Sequence, residues 1–126
     1  METYFKKRYN SFKFAFNGLN SALRSEPHMR LHILSAAGVV LAGYFFGVTA
    51  TEWCLLVGCI GVVFMAEIFN TAIETVVNLV SPDFHPLAGK AKDLAAGAVL
   101  AVAIMSAVIG LIIFLPYVFS LISNLF

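Results

Sequence analysis

The feature that most constrains this chain is the way its charged residues fall in blocks, separated by long runs without charge. Residues 31–50, 53–66 and 94–126 contain no Asp, Glu, Lys or Arg. A helix needs about 20 predominantly apolar residues to cross the hydrocarbon core of a bilayer. The chain is 60% hydrophobic and 12% charged, whereas soluble domains carry about 25% charged residues. The sequence therefore predicts an all-α integral membrane protein.

We expect three membrane-spanning helices within a single domain that covers residues 1–126. The spans are predicted to lie in helices at residues 31–50, 53–80 and 87–115, with a turn between the first two at residues 49–52. Pro82 and Pro86 break helix on both sides of a loop between the second and third. Pro116 is expected to end the third helix, because its ring removes a backbone donor and clashes with the preceding turn.

The basic residues predict the orientation of the chain in the membrane. All eight Lys and Arg lie before the first span or between the second and third. Because basic loops remain in the cytoplasm, we expect a multi-pass protein of the cytoplasmic (inner) membrane, with its N-terminus inside and its C-terminus outside. Seven acids nearly balance the eight basic residues, and the absence of a basic stripe argues against a nucleic-acid partner.

Residues 5–24 are predicted to form an amphipathic helix that lies in the membrane interface. At about 100° per residue, one face carries the apolar side chains Phe5, Phe12, Phe16, Leu19 and Leu23. The other face carries basic and amide side chains, which is typical of helices that rest on lipid headgroups. Phe14 falls on this polar face, where it either stacks on a ligand or packs against another helix.

The second span carries a polar face that a lipid-exposed helix would not have. Glu67, Asn70, Thr71 and Glu74 have the i, i+3, i+4, i+7 spacing that places side chains on one face. An ionised carboxylate costs about 2.5–3.5 kcal/mol at the bilayer centre and less toward the interface. A divalent cation, a basic partner or protonation of one acid would offset this cost. A polar contact of Asn70 with a neighbouring span is the structural alternative.

Three further charged residues are expected at the same cytoplasmic level. Lys92 and Asp93 open the third span, and Glu26 precedes the first. A lysine near a helix N-terminus opposes the helix dipole, so we expect Lys92 to have an anionic partner, either Glu74 or a phosphate. The histidines are weak signals, since solvation at the headgroup level explains His28 and His32 as well as any role would.

Acids, amides and a lysine at a membrane surface favour phosphoryl transfer. In that chemistry carboxylates hold Mg²⁺, a lysine neutralises phosphate charge and one acid accepts the proton of the attacking hydroxyl. The sequence contains neither G-x-x-x-x-G-K-[ST] nor G-x-G-x-x-G. A nucleotide site in this chain must therefore be built differently.

Two segments carry a resemblance to a known family. Residues 67–74, Glu-Ile-Phe-Asn-Thr-Ala-Ile-Glu, and residues 91–99, Ala-Lys-Asp-Leu-Ala-Ala-Gly-Ala-Val, resemble the signature of the prokaryotic diacylglycerol kinase family, which has an undecaprenol kinase branch. Ser25 and Glu26 with Arg30, and Gly18 with Leu19, extend the resemblance over nearly the whole chain. It implies three spans, an interfacial helix, ATP and Mg²⁺, and a homotrimer that shares its active sites between subunits.

The resemblance also implies roles for individual residues. Glu67 corresponds to the general base, and Glu26 and Glu74 to metal ligands that also contact ATP. The other predicted ATP contacts are Arg8, Phe14, Asp83, Phe84, His85, Lys92 and Asp93, with Lys7 as the alternative to Arg8. Asn70 and Thr71 are expected to shape the site or contact the lipid. Asn78 stands where the family usually has Asp.

The implied reaction transfers the γ-phosphate of ATP to the primary hydroxyl of a membrane lipid alcohol. Residues 69–71 and 11–13 and the proline-flanked loop resemble the undecaprenol branch, so undecaprenol is favoured over diacylglycerol. A small oligomeric transporter is the alternative from another class, although a transporter places its acid near the membrane midplane. A non-catalytic scaffold is a third hypothesis, and it would tolerate Glu67→Gln.

Overall fold

The computed structural model describes residues 4–25 and 27–125, and these residues form four α-helices. The helices are α1 (Tyr4–Ser25), α2 (Pro27–Phe46), α3 (Ala50–Val80) and α4 (Pro86–Ser123). Helices α2, α3 and α4 are long and apolar enough to cross a membrane. The prediction of three helices that are able to span a membrane is therefore confirmed.

Helices α3 and α4 form the main antiparallel pair, and α2 packs against α3. We call the end of this bundle at residues 47–49 the turn end, and the end at residues 81–85 the loop end. A small core of Val48, Leu56 and Ile113 lies near the turn end. Most other large apolar side chains of the spans are exposed, as expected where lipid or another subunit, not water, surrounds the helices.

The turn between α2 and α3 begins earlier than the sequence predicted. Gly47 adopts a φ of 65°, and the Val48 N–H donates to a carbonyl in the last turn of α2 at 3.1 Å, which is the bond of a Schellman C-terminus. Thr49 then caps α3, and Glu52 completes a capping box with it. The predicted turn is thus corrected, because its residues are the cap and first turn of α3.

Helix α4 continues through Pro116 to Ser123, which corrects the predicted end at residue 115. The proline removes one backbone donor. In hydrocarbon, however, a continuous helix satisfies the backbone groups of the following residues, and lipid cannot. The extension also carries Tyr117, whose hydroxyl donates to Glu52 Oε2 at 2.8 Å and joins α4 to the start of α3.

Helix α1 packs lightly against α2 and α3, with Ala22 buried at the contact side. Its predicted apolar face is uncovered, since Phe5 is 80% exposed and Phe16 is 68% exposed. Phe14, on the opposite face, is 69% exposed. Within the described residues it therefore does not pack against another helix, and stacking on a ligand remains the prediction for it.

Candidate active site on helix α3

Glu67 is a buried carboxylate in the second half of α3, and a histidine of α2 contacts it. Only 4% of Glu67 is exposed. The Nε2 atom of His32 lies 2.8 Å from Glu67 Oε1, and the His32 side chain is itself 19% exposed. The imidazole thus gives the buried carboxylate a polar partner at Oε1. The Thr71 hydroxyl donates to the Glu67 backbone carbonyl at 3.0 Å, so its hydrogen bond goes to the backbone and not to the Glu67 carboxylate.

One turn nearer the loop end, Asn70 and Glu74 form a second polar pair. Asn70 Nδ2 donates to Glu74 Oε1 at 3.3 Å. Asn70 Oδ1 is buried and accepts no hydrogen bond from the described part of the chain. An unsatisfied buried acceptor costs about 1–3 kcal/mol, and such atoms are usually accounted for by a water, an ion or a ligand.

The donor set around Glu74 suits Mg²⁺. A carboxylate and an amide oxygen are the hard oxygen donors that this cation takes, with one or two carboxylates and substrate phosphates as its usual ligands. Residues 4–25 and 27–125 contain no group of three acids, histidines or cysteines placed to form a complete metal site. Glu26, the other predicted metal ligand, lies outside the described residues. The described residues therefore offer part of a cation site, with Glu74 and the Asn70 amide oxygen as its donors.

Lys92 contacts an amide of α3 and not the Glu74 carboxylate. Its Nζ donates to Asn78 Oδ1 at 2.6 Å. An amide carries no charge, so this bond holds the ammonium group in place without neutralising it. Asn78 follows Glu67 by eleven residues, or about 16 Å along a helix. The polar side chains of α3 thus extend from the buried Glu67 to the lysine near the loop end.

The loop predicted to contact ATP lies beyond the Lys92 level. Asp83 and Phe84 are exposed, Phe84 to 93%. His85 is the N-cap of α4, where its Nδ1 accepts the N–H of Leu87 at 3.2 Å. The loop conformation is therefore fixed on one side by its own histidine, which leaves the neighbouring side chains exposed to solvent.

The remaining predicted contacts are on exposed surfaces. Arg8 donates from Nε to the Tyr4 hydroxyl at 3.1 Å, and Asp93 is exposed near the start of α4. Among the described residues, neither these two nor Phe14 forms a hydrogen bond or ion pair with Glu67 or Glu74. The structure thus brings together Asn70 and Glu74 of α3, and Lys92 of α4 reaches α3 at Asn78.

A cavity of about 570 Å³ lies between α2, α3 and α4, and its walls are almost entirely apolar. His32 lines it at the end nearer Glu67, and it extends from there toward the turn end, past Val39 and Phe114. Ser106 also lines the cavity, and its buried hydroxyl has no partner within the described chain. The His32–Glu67 pair therefore adjoins an apolar space of the size that a ligand pocket has.

The sequence did not identify His32 as part of the site. Because α2 and α3 are antiparallel, residues at similar distances along the chain from the turn lie opposite one another. His32 and Glu67 lie 17 and 18 residues on either side of Thr49. The spacing thus placed the two residues at one level of the bundle, but it did not show which faces of α2 and α3 meet.

Comparison with known proteins identifies the family. The model of the prokaryotic diacylglycerol kinase family matches residues 13–114. The undecaprenol kinase of Bacillus subtilis is 41% identical over 108 residues, which cover 86% of this chain and 88% of that protein. The diacylglycerol kinase of Haemophilus influenzae is 34% identical over 106 residues, covering 83% and 90%. That of Escherichia coli K12 is 34% identical over 96 residues, covering 76% and 78%. The chain therefore belongs to the prokaryotic diacylglycerol kinase family and is a multi-pass membrane phosphotransferase with an alcohol group as acceptor.

Proposed function

We propose that this chain uses ATP and Mg²⁺ to phosphorylate the primary hydroxyl of a membrane lipid alcohol, with undecaprenol favoured over diacylglycerol. The observation that carries the proposal is the position of Glu67, a buried carboxylate held by His32 beside an apolar cavity. The preference for undecaprenol rests on the 41% identity to a protein named undecaprenol kinase, against 34% to two named diacylglycerol kinases.

Glu67 acts as the general base in this proposal. His32 occupies Oε1, which leaves Oε2 to accept the hydroxyl proton of the lipid. As that proton leaves, the lipid oxygen forms a bond to the γ-phosphorus, and the bond to the oxygen bridging the β- and γ-phosphates breaks. ADP departs with the electron pair of that bond. A positioned general base of this kind typically contributes about 10²- to 10⁴-fold in rate.

The acceptor lipid reaches Glu67 from the cavity between the spans. Its walls are apolar, so they suit a hydrocarbon or isoprenoid tail and exclude the phosphates of the nucleotide. The tail would extend toward the turn end while the hydroxyl stays beside Glu67. The nucleotide approaches from the opposite direction, because the charged and exposed predicted contacts lie toward the loop end.

Glu74 and Glu26 would hold Mg²⁺, with Asn70 Oδ1 as a further oxygen donor close to Glu74. The bound cation supplies neutralisation of the phosphate oxygens during transfer. Lys92 adds a fixed positive charge, since its amide partner leaves the ammonium charge available to an anion. Arg8 or Lys7, Phe14, Asp93 and the loop residues Asp83, Phe84 and His85 complete the proposed nucleotide contacts, and Thr71 stays a site-shaping residue.

The proposed assembly is a homotrimer in the cytoplasmic membrane, with α1 in the interface. The uncovered apolar face of α1 supports its contact with lipid. One copy of the chain leaves the predicted nucleotide residues of α1 and the loop exposed, and a neighbouring copy would cover them. The N-terminus and the loop between α3 and α4 lie in the cytoplasm in this proposal, and the C-terminus lies outside.

Diacylglycerol is the second candidate acceptor, supported by the relatives of that name. It also presents a primary hydroxyl, so Glu67 would act on it in the same way. The family assignment favours both kinase readings over the transporter and the scaffold.

The test is phosphorylation of lipid by the purified protein in mixed micelles, with undecaprenol and diacylglycerol offered side by side. We expect ATP- and Mg²⁺-dependent transfer of radiolabelled γ-phosphate to undecaprenol at the higher kcat/KM, with kcat about 10²- to 10⁴-fold lower in Glu67→Gln. A higher kcat/KM for diacylglycerol would reverse the preference. Absence of transfer to either lipid by folded, oligomeric protein would refute the proposed function.

A further inference from the structure

We infer that His32 is a positioning residue for the general base, and that it sets which oxygen of Glu67 receives the hydroxyl proton. The inference rests on the proposed function. Its structural basis is a 2.8 Å contact between His32 Nε2 and Glu67 Oε1, formed between two helices with the Glu67 side chain buried. His32 was a weak signal in the sequence, and neither the base nor the metal role includes it.

The contact fixes the carboxylate because, among the described residues, His32 is the partner that holds the carboxylate oxygens of Glu67. The other polar neighbour, Thr71, donates to the backbone carbonyl and not to the carboxylate. Without a donor at Oε1, rotation about the terminal side-chain bond would exchange the two oxygens, since this torsion has broad, two-fold preferences. A donor on one oxygen therefore directs the other toward the reacting hydroxyl.

The location of His32 gives the contact a catalytic consequence. His32 also lines the apolar cavity proposed for the acceptor lipid. The same imidazole thus borders the space for the substrate and holds the base that acts on it. A hydroxyl arriving from the cavity meets a carboxylate whose Oε1 is already engaged, so Oε2 is the oxygen that must take the proton.

The alternative explanation is that His32 only compensates the burial of Glu67. That role would affect how much protein folds, because removing the hydrogen-bond partner of a buried carboxylate is destabilising. It would leave kcat per folded site unchanged. A positioning role instead predicts a lower kcat in a variant whose side chain still carries a hydrogen-bond donor but places it away from Glu67 Oε1. The stability and the KM for ATP of that variant should be unchanged.

The experiment compares His32→Gln with His32→Asn. The amide nitrogen of Gln reaches about as far as an imidazole Nε2, whereas the shorter Asn places its donor nearer the position of Nδ1. We expect Gln to retain kcat within about threefold and Asn to lose about 10- to 100-fold, which is the range for a hydrogen bond to a charged group. The KM for ATP should stay within about twofold in both variants. His28, an exposed histidine one turn earlier on α2, provides the matched pair of control substitutions, with kcat unchanged.

Three results would overturn the inference. Equal, wild-type kcat in the Gln and Asn variants would mean that the contact has no effect on the reaction. A fall in activity that matches the loss of folded protein, measured by thermal melting of the purified variants, would mean that His32 is structural. A wild-type protein that phosphorylates no lipid alcohol would refute the proposed function itself, and the role of His32 with it. The first two results leave the proposed function intact.

Discussion

Replacing Glu67 with Gln separates the chemistry of this side chain from its contribution to the fold. The two side chains have nearly the same size, so the 4%-exposed position stays filled. The amide oxygen of Gln can still accept the hydrogen bond that His32 donates at 2.8 Å. What the substitution removes is the carboxylate oxygen that accepts the hydroxyl proton in the proposed reaction.

The expected magnitude follows from those two facts. A general base contributes about 10²- to 10⁴-fold, so kcat should fall by that ratio, equivalent to about 2.7–5.4 kcal/mol of transition-state stabilisation. Stability should change by no more than about 1 kcal/mol, because the weaker neutral hydrogen bond is offset by the lower cost of burying an uncharged group. The KM for ATP should be unchanged, since Glu74 and Lys92 are not altered.

The assay is steady-state transfer of phosphate to lipid in mixed micelles, together with thermal melting of each variant. The matched control is Glu52→Gln in the same helix. Glu52 accepts hydrogen bonds from Thr49 and from Tyr117 at the turn end, far from the proposed site. We expect this control to lower the melting temperature and to leave kcat unchanged. A Glu67→Gln enzyme within about fivefold of the wild-type kcat would refute general-base catalysis by this carboxylate.

Two further predictions concern packing and nucleotide affinity. Gly43→Ala should destabilise the protein by about 1–3 kcal/mol, because the added Cβ would lie 2.7 Å from the Trp53 ring. Thermal melting checks this, with Gly38→Ala as the control because its added Cβ meets nothing within 4 Å. Equal melting temperatures of the two variants would contradict the close packing. Asn78→Asp should raise the KM for ATP by up to about fivefold. Lys92 contacts the amide at 2.6 Å, and a carboxylate in its place would compete with the phosphates for the ammonium group. The expected factor corresponds to about the energy of an exposed ion pair. An unchanged KM would argue against a nucleotide contact by Lys92.

The membrane class and the helix count were predictable because hydrocarbon imposes so few solutions. A run of about 20 residues without charge has to be helical to satisfy its own backbone in lipid, and the charge blocks therefore marked the three spans. The helix ends were less predictable. Gly47 and Thr49 carry the signals of a helix end and a helix start, but both lie within an uncharged run, where hydropathy does not mark the boundary. Pro116 was wrongly predicted to end α4, since in lipid a continuous helix is favoured over a break in the backbone hydrogen bonds.

The candidate site was predictable only along a single helix. The spacing of Glu67, Asn70 and Glu74 is a property of α3 alone, and the structure reproduces it with the hydrogen bond from Asn70 to Glu74. Contacts between helices depend on how each helix is rotated about its axis, which a single sequence does not encode locally. For that reason the contact of His32 with Glu67 and that of Lys92 with Asn78 came only from the structure.

Glu52 and Glu67 of α3 show how the same residue type serves structure at one position and, in our proposal, chemistry at another. Glu52 lies in the first turn, where the helix dipole favours an anion, and its Oε2 accepts from the Thr49 N–H at 2.7 Å, the Thr49 hydroxyl at 2.8 Å and the Tyr117 hydroxyl at 2.8 Å. Glu67 lies within the helix, where the dipole gives no such help, and His32 engages one of its oxygens. Three donors hold the partly exposed Glu52 carboxylate in place, whereas the Glu67 carboxylate is buried. A buried carboxylate with a single donor keeps an acceptor oxygen for a group that arrives from outside, and a lipid hydroxyl entering from the adjoining cavity meets that requirement.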